Sequence, residues 1–145
     1  MKLTTRIAVL LLGVVVGLIV YHRTPDEKLV RQSIDALAQA TEQTDASALT
    51  AQLTDDFDGN SGTVTGQDMA NLLRLARLRG ETLHAVLGPI DVEKRGERYV
   101  ADFTATLTSG GHVFPAQLGV YKVEAAWRKD SGTWRCYQAT WTQQL

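Results

Sequence analysis

The spacing of apolar positions changes once along the body of the chain, at Gly80. Between residues 25 and 79, apolar side chains recur every three or four positions, which is typical of helices with one buried face. After Gly80 they alternate with polar side chains, which is typical of strands with one buried face. Helices followed by strands predict an α+β fold, with the helices packed on one antiparallel sheet.

Three helices are predicted in the first half of the body. A cap at Thr24 starts the first helix, and a cap at Asp45 starts a short second one. The third helix runs from about Gln67 to Arg79. The turn-rich residues 54–66, between the second and third helices, leave room for a very short hairpin.

Four strands are predicted in the alternating region, and the short connections between them contain glycine, as hairpin turns do. The strands cover about Thr82–Glu93, Arg98–Thr108, His112–Arg128 and Thr133–Thr142. A two-residue turn at Gly110-Gly111 places Leu107 opposite Phe114 and makes the face that these strands share apolar. That face is expected under the helices, with a β-bulge at Gly119–Val120 to keep the inward residues in phase.

All three tryptophans lie in the last predicted hairpin. With a three-residue loop at its turn, Trp127 and Trp141 point inward, under the helices. Trp134 then points outward, together with Cys136. Arg135 is the only charge predicted on the inner face of the last three strands.

Two stretches, "LTDDFDGNSGTVTGQDMANLL" and "AWRKDSGTWRCYQATW", carry a resemblance that extends from about Pro25 to the end of the chain. Together with the element order, they make the chain resemble the nuclear transport factor 2-like superfamily, which includes the SnoaL-like proteins. The resemblance implies a cone-shaped, cystatin-like roll, in which three helices pack on a strongly curved antiparallel sheet. The superfamily includes isomerases, hydrolases, dehydratases, transport factors and scaffolds, so the fold alone does not select a function.

The side chains expected to face the cone are candidates for lining a ligand pocket. His84 faces inward if the strand keeps its alternation through Gly88-Pro89. A bulge there turns Leu83, Ala85 and Leu87 inward instead, which buries more apolar surface. The pocket candidates are His84, Tyr99, Phe103, Tyr121, Trp127, Tyr137 and Trp141.

The outer sheet face is a candidate interface. An outward tryptophan is a residue type enriched at interface centres, and dimers through this face recur in the family that the chain resembles. We therefore expect a weak homodimer, with the candidate contact residues Asp102, Thr104, Thr106 and Trp134.

The composition argues against several function classes. The net charge of −1 gives no basic surface for nucleic acid. A single cysteine excludes an internal disulfide, and the three histidines lack the spacing of zinc ligands. We expect no metal, no cofactor and no catalytic residue.

Two functions are compatible with this pattern. The first is a non-enzymatic envelope protein that binds a small apolar ligand or a protein partner, through the cone or the outer sheet face. The alternative is a small cofactor-free isomerase, hydrolase or dehydratase of the SnoaL-like type, which needs an acid or base inside the cone.

Residues 1–23 are predicted to be a membrane anchor, and residues 24–145 the folded domain. The run from Ile7 to Tyr21 carries no charge and follows Lys2 and Arg6. This charge distribution places the N-terminus in the cytoplasm and the domain in the periplasm of a bacterium. The run ends in bulky residues rather than a small-residue cleavage site, which favours an uncleaved anchor over a cleaved signal that releases the domain into the periplasm.

The anchor can be tested with alkaline phosphatase fused to the C-terminus of the full chain. We expect an active fusion in the membrane fraction, because the enzyme is active only outside the cytoplasm. An inactive fusion, or activity confined to the soluble fraction, would contradict the anchor.

Overall fold

A computed structural model describes residues 25–110 and 119–144. The predicted anchor segment lies outside these residues. No helix within them is both long and apolar enough to cross a membrane. The three predicted helices are present, as α1 (Pro25–Glu42), α2 (Ala46–Ala51) and α3 (Gly66–Leu78).

Side-chain caps fix where the two later helices begin. The Asp45 carboxylate accepts a hydrogen bond from the Ala48 amide at 3.1 Å. Thr65 and Asp68 form a reciprocal capping box at α3, with distances of 2.9 and 3.1 Å. The bond from the Thr65 amide, helped by the Thr65 hydroxyl, lowers the pKa of the Asp68 carboxyl below its ordinary value. The caps set the helical phase that turns these apolar residues toward the sheet: Leu49, Ala70, Leu73 and Ala76.

The described residues contain seven strands in one sheet, in the order β2-β1-β7-β6-β5-β3, with β4 also paired to β5. β1 runs parallel to β7, and the other pairs are antiparallel. β1 and β2 form the short hairpin predicted between α2 and α3. The strands are β1 (Leu53–Gly59), β2 (Val64–Thr65), β3 (Leu83–Leu87), β4 (Asp91–Arg95), β5 (Arg98–Ser109), β6 (Gly119–Asp130) and β7 (Thr133–Gln144).

The strand predicted at Thr82–Glu93 is divided at Gly88-Pro89 into β3 and β4, which pair with successive parts of β5. Ala85 lies opposite Leu107, and Val92 lies opposite Ala101. The alternation of inward and outward side chains therefore does not continue from β3 into β4. The alternative that buries more apolar surface is the correct one, and the His84 side chain is exposed.

The predicted register between β5 and β6 is wrong. Leu107 lies opposite Gly119, and Phe103 lies opposite Val123, so a two-residue turn at Gly110-Gly111 is excluded. This register places the odd-numbered residues of both strands on one face without a change of phase. The predicted bulge at Gly119–Val120 is therefore unnecessary, and Gly119 instead begins β6 with a positive φ of 139°.

The turn of the last hairpin is also shorter than predicted. Asp130 pairs with Thr133, which leaves Ser131 and Gly132 as a two-residue turn with positive φ at both residues. Further along the hairpin the register shifts between Ala126 and Trp127, where β7 has one extra residue. Near the turn, the face of β7 that meets α1 is therefore the opposite of the one predicted.

This change of register reverses four predicted orientations. Trp134 and Cys136 are buried on the side of the helices, whereas Arg135 and Tyr137 alternate with them on the outer side. The Trp134 indole donates to Asp26 at the start of α1 at 3.1 Å. Its ring also meets the edge of Tyr99, with 5.1 Å between ring centroids.

Trp134 is consequently expected to be a core residue in stability measurements. Trp134→Ala should lower the free energy of unfolding by about 3–5 kcal/mol, as large core truncations do. Val86 on β3 is 65% exposed, so the matched control Val86→Ala should change it by less than about 0.5 kcal/mol. Urea unfolding followed by circular dichroism measures both. Equal midpoints for the two variants would contradict the observed register.

Candidate functional site

A half-open cavity of about 490 Å³ lies between the helices and the face of the sheet that they cover. Its volume lies in the range of small-molecule sites. Helices α1 and α3 contribute Ile34, Leu37, Met69 and Leu73. The sheet contributes mainly aromatic and aliphatic side chains, among them Phe57, Phe103, Leu107, Tyr121, Val123 and Trp141. The described residues that line the cavity include no lysine or arginine.

At one end of the cavity the polar groups are satisfied by the protein itself. Trp127 is 1% exposed, and its indole donates to the Ser33 hydroxyl at 3.0 Å. Ser33 in turn donates to the side-chain oxygen of Gln52 at 2.8 Å. This chain of hydrogen bonds joins β6, α1 and the residue before β1, so its role is structural.

Cys136 lies at the same end, 2% exposed. Its thiol is 3.4 Å from the Gln138 carbonyl, which accepts its hydrogen bond. Burial raises the pKa of the thiol from its ordinary 9.0 to about 12. The thiol is therefore neutral near pH 7 and is not a nucleophile.

At the other end of the cavity lies a buried carboxyl, that of Glu81, which is 8% exposed. Glu81 follows the end of α3, where Gly80 has a positive φ of 67° and the Glu81 amide donates to the Ala76 carbonyl at 2.9 Å. Ser109, the last residue of β5, donates its hydroxyl hydrogen bond to Glu81 Oε2. Thr108 and Ser109 both border the cavity beside this carboxyl.

No pattern in the sequence singles out Glu81. It lies between α3 and β3, where neither the helical nor the strand period assigns a face. A charged residue in such a connection is expected to be solvated. The contact between Glu81 and Ser109 becomes visible only when β5 is placed in the sheet, because the two residues are 28 positions apart along the chain.

The pocket candidates fall into two groups. His84, Phe103, Tyr121, Trp127 and Trp141 border the cavity, although the exposed His84 side chain lies only at its rim. Tyr99 and Tyr137 do not border it.

The two remaining tyrosines have other surroundings. Tyr99 is buried against Trp134. Tyr137 lies on the outer side, where Arg98 donates to its hydroxyl at 3.0 Å. The guanidinium of Arg128 is 5.2 Å from the Tyr137 ring centroid.

The interface candidates do not share one surface. Asp102 and Thr104 are exposed on the outer face of β5, and Thr106 is half-buried there. Trp134 is buried on the opposite side of the sheet. The expected dimer contact therefore lacks its aromatic centre, and self-association stays a prediction.

A second, open cleft of about 780 Å³ lies at the tips of the two hairpins. It mixes charges of both signs, and two of its arginines are already paired: Arg95 with Glu93, and Arg128 with Asp56 at 2.7 Å. The cavity under the helices is better enclosed and is apolar, so it is the stronger candidate site. Residues 25–110 and 119–144 contain no group of three or more His, Cys, Asp or Glu side chains that could hold a metal ion.

No protein-family model matches the chain, and no curated protein matches it. Solved structures do match it. A nuclear transport factor 2-like protein from Cytophaga hutchinsonii matches with a TM-score of 0.67 and 15% identity, over 83% of this chain and 100% of its own. A nuclear transport factor 2-like protein with a cystatin-like fold from Novosphingobium aromaticivorans matches with a TM-score of 0.62 and 19% identity, over 90% and 86%.

A third structure is a nuclear transport factor 2-like protein from Streptomyces avermitilis that is provisionally named a dehydratase. It matches with a TM-score of 0.65 and 16% identity, over 84% of this chain and 99% of its own. At such identities the matches establish the fold. The chain has the α+β, cystatin-like architecture that the resemblance implied.

The state of Cys136 can be tested by alkylation. At pH 8, iodoacetamide should label the native protein at least about 100-fold more slowly than the unfolded chain, because burial keeps the thiol neutral. Mass spectrometry over time measures both rates, and labelling at equal rates would contradict the buried position.

The same pKa shift has a consequence for stability. The thiol of the unfolded chain loses its proton near 9.0, whereas that of the folded chain keeps it to about 12. The contribution of Cys136 to stability is therefore complete below pH 9 and is lost as the pH rises toward 12. Because serine does not titrate between pH 9 and 12, Cys136→Ser should make the free energy of unfolding depend less on pH in this range.

Proposed function

We propose that this protein binds a small, mainly apolar molecule in the cavity between its helices and the sheet. The observation that carries the proposal is a half-open space of about 490 Å³ under the helices with an almost wholly apolar lining. Protein cores normally pack without voids of this size. An apolar molecule of matching shape gains free energy by leaving water for such a space.

We propose further that the domain works at the outer side of a bacterial inner membrane. The support is in the sequence, where the uncharged run from Ile7 to Tyr21 leads into α1 with few residues between. A cavity beside a membrane is well placed to receive apolar molecules that partition into lipid. Release of the domain into the periplasm by cleavage is the alternative.

A second candidate function is catalysis of the SnoaL-like type. The observation that favours it is Glu81, a buried carboxyl beside an apolar cavity, which is an arrangement that acid–base catalysts use. The dehydratase name of the Streptomyces avermitilis structure points in the same direction. In this alternative Glu81 transfers a proton, and the apolar walls hold the substrate against it.

Occupation of the cavity can be tested with N-phenyl-1-naphthylamine, an uncharged fluorescent probe. In the full-length protein in lipid nanodiscs, excitation of tryptophan should produce probe emission, because Trp127 and Trp141 border the cavity. Ala105→Phe fills the space from β5 and should weaken probe binding by at least about tenfold.

Thr104→Phe is the matched control. Thr104 is the neighbour of Ala105 and is exposed on the outer face, so the same side chain there should leave binding unchanged. Both variants have the same lipid background. Equal probe signals from the two variants, or no energy transfer in the natural protein, would contradict binding in the cavity.

A further inference from the structure

We infer that the open cleft at the tips of the two hairpins is a docking surface for anionic phospholipid head groups, on which the domain rests against the membrane. The inference rests on the proposed position of the domain at a membrane, and it is independent of what the cavity under the helices binds. It adds a second contact with the lipid and, through that contact, an orientation of the domain.

The first argument is the place of the cleft in the fold. Asp26, the second residue of α1, borders the cleft and accepts a hydrogen bond from the Trp134 indole at 3.1 Å. The uncharged run of the sequence ends at Tyr21, four residues before Pro25. Four residues span at most about 14 Å in any conformation. With the run in a membrane, the cleft therefore lies at the end of the domain that is next to the lipid.

The second argument is an excess of positive charge at this end. Two carboxylates border the cleft, those of Asp26 and Glu97. The cations that border it are more numerous: Lys94, Arg95, Arg98, Arg128 and Lys129. Elsewhere the domain is acidic, because all 16 aspartates and glutamates of the chain lie after residue 24, whereas three of its 15 lysines and arginines lie before it. Such a distribution turns this end of the domain toward a negatively charged surface.

The third argument is that part of this positive charge is not neutralised within the domain. Among residues 25–110 and 119–144, three cations of the cleft have no carboxylate partner: Lys94, Arg98 and Lys129. Arg98 donates to the Tyr137 hydroxyl at 3.0 Å, and the Lys129 ammonium lies 5.7 Å from the centroid of the Trp134 ring. These neutral partners hold two of the cations in place without cancelling their charge. All three remain available to lipid phosphates.

The fourth argument is the shape of the two hairpin tips. Gly96-Glu97 joins β4 to β5, and Ser131-Gly132 joins β6 to β7. Two-residue turns project little beyond the strands that they join, so the cations near the ends of these strands can reach a flat surface. Glu97 is exposed and carries the only negative charge within the two turns. It opposes docking, which makes it useful in a test.

Acetylation of lysines by the uncharged reagent N-acetoxysuccinimide tests this inference. The full-length protein is placed in nanodiscs of phosphatidylcholine alone, or of phosphatidylcholine and phosphatidylglycerol in equal parts. Mass spectrometry measures the acetylation rate of each lysine. Lys94 and Lys129 should react at least about threefold more slowly in the anionic discs, because lipid phosphates cover them.

Lys122 is the control within the same molecule. It is an exposed lysine on the same strand as Lys129, and the seven residues between them correspond to about 23 Å. Its acetylation rate should be the same in both kinds of disc. Raising the salt concentration from about 0.1 to about 1 M shortens the screening length from about 10 to about 3 Å and should remove the protection of the other two lysines.

Two substitutions assign the protection to the cleft. Arg98→Gln removes one cation and leaves both reporting lysines, so it should reduce their protection to about half. Glu97→Gln removes the opposing charge and should increase the protection. Arg77→Gln is the matched control for Arg98→Gln, since Arg77 is an exposed arginine of α3 that does not border the cleft. It changes the net charge equally and should leave the protection unchanged.

The outcomes separate this inference from the proposed position. A protein that enters neither kind of nanodisc overturns both. Entry with equal acetylation rates of Lys94 and Lys129 in the two lipids overturns the docking surface and leaves the anchored position intact. Protection that Arg98→Gln and Arg77→Gln reduce to the same extent arises from the net charge of the domain, and it also contradicts docking through the cleft.

Discussion

The buried side chain of Trp127 joins the middle of the first helix to the centre of the sheet. Its ring is enclosed at the centre of the sheet, and its one polar atom is satisfied by Ser33 on α1, 94 residues away along the chain. Ser33 passes the hydrogen bond on to Gln52, whose carbonyl oxygen also accepts from the Cys136 amide at 2.9 Å. The indole thus fixes the distance and the rotation of α1 relative to β6 and β7. Hydrogen bonds from Trp134 to Asp26 and from the Ala85 amide to Glu42 add contacts at the two ends of the helix, whereas apolar packing alone does not specify direction.

This arrangement explains why one end of the space under the helices is filled and the other is open. Near Trp127 the sheet and α1 are in contact, with Val30 and Ile34 completely enclosed. Farther along β5 and β6 the sheet faces α3, and the side chains there are only half-buried, among them Phe103, Leu107, Tyr121 and Val123. Half-buried apolar side chains that line one cavity leave a surface that a ligand can cover. The candidate site is therefore the region where the sheet and the helices are not packed directly against each other.

The sequence predicted the helices and most strands, because apolar residues recur at a regular spacing along them. The helix caps also act on residues close in sequence. Asp45 and Thr65 act within three residues of themselves, and such signals can be read directly. The register between neighbouring strands was harder to predict from the sequence, since it depends on the length of the turn that joins them. A hairpin loop one residue shorter than predicted was enough to turn Trp134 and Cys136 inward, and the extra residue in β7 returns Ala139 and Trp141 to the inner face. The described residues of β5–β7 that line the cavity include no aspartate or glutamate, and the carboxyl enters from Glu81, outside any strand.

Because β1 pairs with β7, the sheet around β1 can be completed only after the last strand has been synthesised. Asn60, at the end of β1, donates its amide to the Ala139 carbonyl at 2.9 Å, and its side chain accepts from the Trp141 amide at 2.8 Å. Gly59 leaves room for the Trp141 ring, since a Cβ there would lie 2.7 Å from the ring. During synthesis, β1 emerges more than seventy residues before its partner. Until the C-terminal strand arrives, one edge of β1 is unpaired, and such edges invite association with other chains. A polypeptide made in this order depends on rapid completion of the sheet, and loss of residues 133–144 would leave that edge exposed.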